Sequence, residues 1–444
     1  MTMCIATIAT CSATRREPAR AWTDLQIAHD NFRERSTSRT TGSYMRVLLT
    51  YGWCRTAYVA AECIANAGHT VFVCDSSALS MARVSRSVRG FFRVPPFQEE
   101  PDNYVDALGT IVRRNDIQVL MPMHEDALTV QERRACLPVG LIVAAPSCEG
   151  LMLGLDKHRI IALATNAGVD APATAAPESI EGAKKVIHAS QFPLIIKTRH
   201  GNGGKGVAVA RTPADAVRLY LAFVDRFKLG HGHFPLLQEF VSGELCGAAF
   251  FSVAGDMKAC FAERYLRCKD NGFGTSVLRE PVEDDARIKE ATQRMCKALG
   301  WSGVGHFDYL FCRETGRLAL IEMNPRFWGA LNLSIINGFN FPLALLQWHA
   351  YGAFDESLFS RARGKSTSLW LAGELIACVN EIAAGAWTAP VNSLKRILVA
   401  RRQGGFDDVH KDDRLPLLFE LLYYAAGYVR SGGSTNPVRA GMCQ

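Results

Sequence analysis

Gly303–Ala330 reads GVGHFDYLFCRETGRLALIEMNPRFWGA and carries more chemistry per residue than any other stretch of the chain. Val304–Arg313 and Arg317–Met323 are β-prone runs. Between them Glu314, Thr315 and Gly316 have the composition of a three-residue hairpin loop with glycine at the left-handed position. Such a loop pairs Arg313 with Arg317. Counting outward, Asp308 falls opposite Glu322, and Asn324 lies two residues on, on the same face. Two carboxylates facing each other at roughly 5 Å between Cβ atoms repel unless a cation sits between them. A hard, oxygen-seeking ion such as Mg²⁺ suits that pair. Ala319, Leu320 and Ile321 mark a buried sheet, in which an unpaired Glu322 would be costly. Register decides the outcome, because a four-residue loop would put the two acids on opposite faces.

The 444 residues suffice for two or three domains sharing a sizeable core, and 48% hydrophobic with 21% charged residues is ordinary globular composition. The net charge of +7 is spread along the chain without a basic block interleaved with aromatics, so no nucleic-acid partner is expected. Fourteen cysteines stand without C-x-x-C pairs or zinc spacing. They read as free thiols in a reducing compartment, and the expected location is cytoplasmic. No apolar run reaches the roughly 18 to 20 residues needed to span a bilayer, so stable membrane insertion is not expected. Leu415–Val429 comes closest and reads first as a packing or homodimer helix, and second as a membrane-surface helix.

Residues 1–44 are rich in Thr, Ser, Ala and Arg without apolar periodicity and read as a disordered extension. From Met45 strands and helices alternate, and 45–150 reads as a small parallel α/β domain. Gly52 is followed by Trp53, Cys54 and Arg55, so the G-x-G-x-x-G fingerprint is absent and an NAD site is not expected, although Asp75 ends the second strand. His124, Glu125 and Asp126 follow a strand's carboxyl end, where open α/β sheets bind ligands. Leu151–Ala167 reads as one helix carrying Asp156, Lys157 and His158.

A buried strand, Leu194–Lys197, then runs into a glycine-dense turn holding Gly201, Gly203, Gly204, Lys205 and Gly206. Backbone N–H groups in such a turn approach an anion unobstructed, and Lys197 and Lys205 add charges suited to phosphate oxygens. A strand follows the turn, so this is a flap rather than a helix-capped phosphate loop. Pro235–Phe240 reads as a strand that loosens toward Gly243, with Gln238, Glu239, Val241 and Glu244 placed to meet a nucleobase edge and a ribose.

Taken in order, Lys157, Lys197 before the glycine flap, Gln238-Glu239, Asp308 and Glu322-Met323-Asn324-Pro325-Arg326 resemble the ATP-grasp superfamily over Met45 to about Tyr351. The run Asn-Pro-Arg-Phe-Trp-Gly is most similar to stand-alone carboxylate–amine ligases of the carbamoyl-phosphate-synthase-like group. No duplicated half or glutaminase is seen, so carbamoyl-phosphate synthesis itself is not expected. The resemblance implies a fold of mixed α/β and α+β class. It would comprise a parallel pre-ATP-grasp domain, a two-lobed ATP-grasp domain over 151–352 (lobes 151–235 and 236–352) with antiparallel sheets, and a mainly helical region over 353–444.

It further implies that Lys157 and Lys197 bind ATP phosphates under the Gly201–Gly206 flap. Gln238, Glu239 and Val241 would frame the adenine, Glu244 would reach the ribose, Asp308, Glu322 and Asn324 would hold Mg²⁺ (or Mn²⁺), and Arg326 would face the transferred phosphate. The implied reaction activates a small carboxylate as an acyl-phosphate and passes it to an amine. A thiol or carrier-bound acceptor, or a non-catalytic nucleotide-binding subunit, are the alternatives. Glu263–Glu280 reads as a charged, glycine-bearing substrate loop in which Arg264, Arg267 and Arg279 could grip a carboxylate, with His306 pointing into the same cavity. Beyond Ser366 the helical segments are Leu369–Ile382, Val391–Arg402 and Leu415–Arg430.

Overall fold

The computed structural model describes residues 44–201, 206–270, 273–283, 285–360, 366–410 and 412–430. The described residues from Met45 onward form one compact unit. Its first part is a parallel sheet of β1 (Arg46–Leu49), β2 (Thr70–Asp75), β3 (Val88–Arg93), β4 (Val119–Met121) and β5 (Ile142–Val143), in the order β3-β2-β1-β4-β5. The connecting helices are α1 (Arg55–Asn66), α2 (Pro101–Arg114) and α3 (Asp126–Glu132). Val47, Leu48 and Leu49 are fully buried, as a central parallel strand covered on both faces must be. The strand that sequence reading misses is β3. Its VRGFFR pattern mixes charge with apolar residues around an internal glycine, which suffices at an edge paired only with β2.

The single helix expected over Leu151–Ala167 is two, α4 (Cys148–Leu155) and α5 (Lys157–Asn166). Asp156 separates them, because its carboxylate accepts from the N–H groups of His158 (3.0 Å) and Arg159 (3.2 Å). A cap of this kind is worth about 1 kcal/mol. The break leaves Lys157 as the first residue of α5 rather than midway along a longer rod.

β6 (Thr174–Ala175), α6 (Ile180–Ala189), β7 (Leu194–Lys197), β8 (Val207–Ala210), α7 (Pro213–Arg226) and β9 (Leu236–Glu239) form an antiparallel lobe with strand order β6-β9-β7-β8. Ile187, Ile196, Tyr220 and Phe223 fill the space between its helices and sheet. The second sheet of this region contains β10 (Glu244–Val253), β11 (Asp256–Asp270), β12 (Phe273–Pro281), β13 (Gly303–Phe311) and β14 (Leu318–Asn324), with α8 (Ala286–Leu299) packed on it. After α9 (Leu331–Ile336) and α10 (Phe341–Tyr351) the chain adds β15 (Thr367–Leu369), α11 (Leu371–Ala383), α12 (Ala389–Gln403), β16 (Gly404–Phe406) and α13 (Leu415–Arg430). The seven strands run β14-β13-β10-β11-β12-β15-β16. The C-terminal region is therefore helical in the three places expected, but it also extends this sheet with two strands of three residues each.

Glu263–Glu280 is not a loop. Most of it lies in β11 and β12, and its three arginines are committed to carboxylates within the chain. Arg264 bonds its cross-strand partner Glu280 (Nε–Oε1 3.0 Å), and Arg267 reaches Glu381 (2.6 Å) and Glu374 (2.9 Å) on α11. Arg279, fully buried, pairs with Asp407 and donates to Ser276 Oγ at 2.7 Å. Charge in this stretch thus reflects ion pairing along a long ribbon rather than a mobile loop.

Inside the sheet Phe250 of β10 stacks on Phe307 of β13 (centroids 4.8 Å, 14°) and lies across Gly305, where a Cβ would stand 2.5 Å from its ring. We expect Gly305→Ala to destabilise the fold by about 1–3 kcal/mol, read as a lowered denaturant midpoint. A second test uses His349 on α10, whose Nε2 is buried without a hydrogen-bond partner among the described residues and whose pKa burial lowers from 6.5 to about 4. Below pH 6.5 the unfolded histidine takes up a proton that the folded one accepts only near pH 4, so stability falls as pH drops through that window. Midpoints measured from pH 7 to pH 4 should fall, and more shallowly in His349→Gln.

Candidate functional site

The hairpin turn between β13 and β14 holds four residues, not three. Phe311 pairs with Leu318, Cys312 N donates to Arg317 O (2.9 Å), and Gly316, at φ +70°, donates back to Cys312 O (2.9 Å). That turn alone would separate the acids. The ladder then shifts by one residue: Tyr309 opposes Leu320 but Asp308 opposes Glu322, leaving Ile321 as a bulge. The shift restores the facing of the two carboxylates and of His306 with Asn324. It also turns the Ile321 carbonyl to accept from Lys197 Nζ at 3.1 Å.

Asp308 is only 8% exposed and accepts from Tyr265 Oη (2.7 Å) and Asn324 Nδ2 (2.8 Å). Burial pushes its pKa up to about 6; His306 pulls it down and Glu322 raises it further. Glu322 stands 3.7 Å from Lys157 Nζ, which also donates to Gly201 O. Lys197, delivered by the end of β7, is buried, and burial lowers its pKa to about 7 while Glu322 works the other way. His306 is buried in the same cluster, with Nε2 3.1 Å from Glu263 Oε1 and Nδ1 3.8 Å from Asp308 Oδ1. Burial pulls its pKa down, but Asp308 and Glu263 outweigh that and leave it raised.

Among the described residues no group of three His, Cys, Asp or Glu side chains is gathered to hold a metal. The oxygen donors present are the Asp308–Glu322 pair and the Asn324 amide oxygen. Two carboxylates and an amide, with water and phosphate oxygens to complete the shell, suit Mg²⁺. Gly247 of β10 lies opposite Asp308 and leaves space for its partners: a Cβ there would be 2.5 Å from His306 Nε2 and 2.9 Å from Tyr265 Oη.

The remaining candidates divide. Lys157, Lys197, Gly201, Gln238, Glu239, Val241, Asp308, Glu322, Asn324 and Arg326 all line one cavity of about 780 Å³, within the size range of small-molecule sites. Gln238 Nε2 donates to Thr174 Oγ1 (2.7 Å), and Glu239 accepts from Arg317 (2.6 Å) and Ala173 N (3.0 Å). Glu244 does not line the cavity; its carboxylate is held by Arg313 at 2.7 and 3.0 Å. Gly206 has φ +67°, and Gly203, Gly204 and Lys205 lie outside the described residues. Arg326 donates to Phe327 O at 2.9 Å. Sequence reading missed Tyr265 and Glu263. The alternation Glu263, Tyr265, Arg267 is the signal that could have found them, since it places all three on one face of a strand.

Residues 155–330 match the family profile of the ATP-grasp domain, and the fold agrees. The biotin carboxylase domain dimer of Hydrogenobacter thermophilus 2-oxoglutarate carboxylase, solved with MgADP and bicarbonate, superposes with a TM-score of 0.59 at 15% identity, covering 73% of this chain and 74% of that one. The L-amino acid ligase of Bacillus licheniformis superposes at 0.57 with 16% identity, over 74% of this chain and 80% of the ligase. Identities this low speak for the fold. In sequence, pyruvate carboxylase of Bacillus subtilis is 27% identical over 239 residues, which is 51% of this chain but 20% of that much longer protein. Residues 155–330 thus resemble an ATP-grasp domain, set within a mixed α/β architecture.

Gly247→Ala should leave the sheet intact while displacing Tyr265 and His306 from Asp308. Losing a hydrogen bond to a charged group costs about 1.5–3 kcal/mol, so MgADP affinity measured by titration calorimetry should fall by roughly tenfold or more.

Proposed function

We propose that this ATP-grasp chain is an ATP-dependent ligase, activating a small carboxylate as an acyl-phosphate and joining it to an amine with release of ADP and phosphate. The observation that carries the reading is the convergence of Lys157 and Lys197, from separate elements, on the buried edge where Glu322 faces Asp308. That arrangement suits a triphosphate with its cation. In this reading Asp308, Glu322 and Asn324 would hold Mg²⁺, which when bound neutralises phosphate charge.

Lys157 and Lys197 bind phosphate oxygens, with Gly201 lining the same cavity. The Gln238–Val241 segment takes the adenine with its backbone groups. Glu239 holds that segment in place through Arg317, and Glu244, committed to Arg313, is withdrawn from the ribose role. A substrate carboxylate oxygen attacks the γ-phosphorus, and the bridging bond breaks with its electron pair leaving on ADP. The amine nitrogen then attacks the acyl carbon, phosphate departs with the C–O electron pair, and the nitrogen loses a proton. Arg326 and Lys197 balance the charge that spreads over the transferring group. No side-chain nucleophile is required.

A homodimer belongs to the same proposal, supported by the exposed Leu375, Val379, Trp387, Val391, Leu394 and Leu398 on α11, α12 and their connection. Its measure is the mass in solution by light scattering.

Phosphate release with pooled carboxylates, with and without amines, tests the reaction, and hydroxylamine should trap the acyl-phosphate as a hydroxamate. Glu322→Gln should fold normally and lose activity by roughly a hundredfold or more, the scale on which losing one preorganised group that stabilises transition-state charge acts. Undiminished turnover in that variant would reject the assignment.

A further inference from the structure

Several segments outside residues 155–330 also line the cavity, among them the turn Tyr51–Thr56 and helix α13. The turn is unusual in its backbone. Tyr51 has φ +56°, a conformation bulky residues rarely adopt, and Gly52 follows at a point where a Cβ would meet Val73 at 2.2 Å. Trp53 N is fixed by Asp75 Oδ2 at 2.7 Å. The strained turn thus directs Trp53 and Arg55 at the cavity. On the opposite side Tyr423 stacks on Trp53 (4.7 Å, 14°) and Tyr424 meets it edge-on (6.4 Å, 76°), making an aromatic wall.

Beside that wall stand two further hydrogen-bond donors, Arg55 and Trp328. Arg55 is only 8% exposed; its Nε donates to Gly329 O (2.9 Å), lies 3.5 Å from Asp407 Oδ2, and its guanidinium covers Trp370 at 4.1 Å. Its Nη2 nonetheless has no hydrogen-bond partner among the described residues. Trp328 is buried, and its Nε1 likewise has none among the described residues. The two are neighbours, because Thr56 Oγ1 donates to Trp328 O (3.4 Å) while Arg55 bonds the next carbonyl, Gly329 O. Gly329 is needed for this approach: a Cβ there would sit 2.6 Å from Arg55 Nη2. Buried N–H groups are nearly always satisfied, and an orphaned one costs its full desolvation penalty. Two such orphans, on residues that line one cavity, point to an acceptor-rich ligand. One guanidinium and one indole N–H beside an apolar wall suit a carboxylate on an aromatic body, whereas phosphate oxygens already have Lys157 and Lys197.

From this geometry we infer that Arg55 and Trp328 bind the carboxylate of a substrate whose aromatic group lies against Trp53 and Tyr423. The inference names the substrate class for the ligase reading and rests on it. Aryl acids and aromatic amino acids share this chemistry, one as the activated acid and the other as the acceptor.

Binding to the full chain, measured by titration calorimetry without ATP, separates this inference from the ligase reading itself. The probes are L-phenylalanine, 3-phenylpropanoate, L-leucine, hexanoate and L-phenylalaninamide. At least one aromatic carboxylate should bind roughly tenfold tighter than its aliphatic counterpart, and the amide should lose roughly as much. Trp328→Phe, which keeps the ring and deletes Nε1, and Tyr423→Leu should each weaken that probe by about tenfold while MgADP affinity is unchanged. Equal binding of aliphatic and aromatic acids, equal binding of the amide, or wild-type affinity in Trp328→Phe would overturn the subsite. Hydroxamate formed from 3-phenylpropanoate alone marks the aromatic acid as donor; L-phenylalanine consumed only with a second acid marks it as acceptor. If the probes bind as expected and no phosphate is released, the ligase reading fails and the subsite stands.

Discussion

Everything at the centre of this molecule depends on one electrostatic constraint: two carboxylates, Asp308 and Glu322, facing each other across a buried antiparallel pair. Such a pair repels, and burial makes the repulsion matter. The chain answers it locally with donors to Asp308 from Tyr265 and Asn324 and with Lys157 close to Glu322. Burial and the facing Glu322 nonetheless hold the Asp308 pKa up at about 6. Oxygen ligands placed this way favour a divalent cation, and the lysines that approach from α5 and β7 favour phosphate beside it.

Three backbone irregularities aim the side chains. The bulge at Ile321 restores the facing of the acids after a four-residue turn and offers its carbonyl to Lys197. The helix break at Asp156 brings Lys157 to the head of α5. The left-handed Tyr51 does the same for the aromatic end. Each places a functional group where a regular element would have turned it away, as bulges and strained turns often do near sites.

How much of this was legible in the sequence follows from what is local and what is not. The order of strands and helices, the lysine positions and the facing of Asp308 with Glu322 were read from periodicity, motif order and resemblance. The facing was reached through a loop length that proved wrong, because the bulge added back the residue that the longer turn removed. Glu263–Glu280 misled because charge and glycine suggest a loop, whereas its arginines serve cross-strand and helix contacts far along the chain. Tyr265, Arg55 and Tyr423 were passed over, since their importance comes from elements hundreds of residues apart meeting at one cavity. Local pattern does not record such meetings.

The central claim is that the Asp308–Glu322 pair holds the cation of a bound nucleotide. A crystal structure of the full chain with Mn²⁺ and ADP, using the metal's anomalous signal, tests it most directly. The account predicts a metal peak within coordination distance of both carboxylates, with the ADP phosphates between that metal and Lys157 and Lys197. A nucleotide bound with its metal away from these two residues would contradict it.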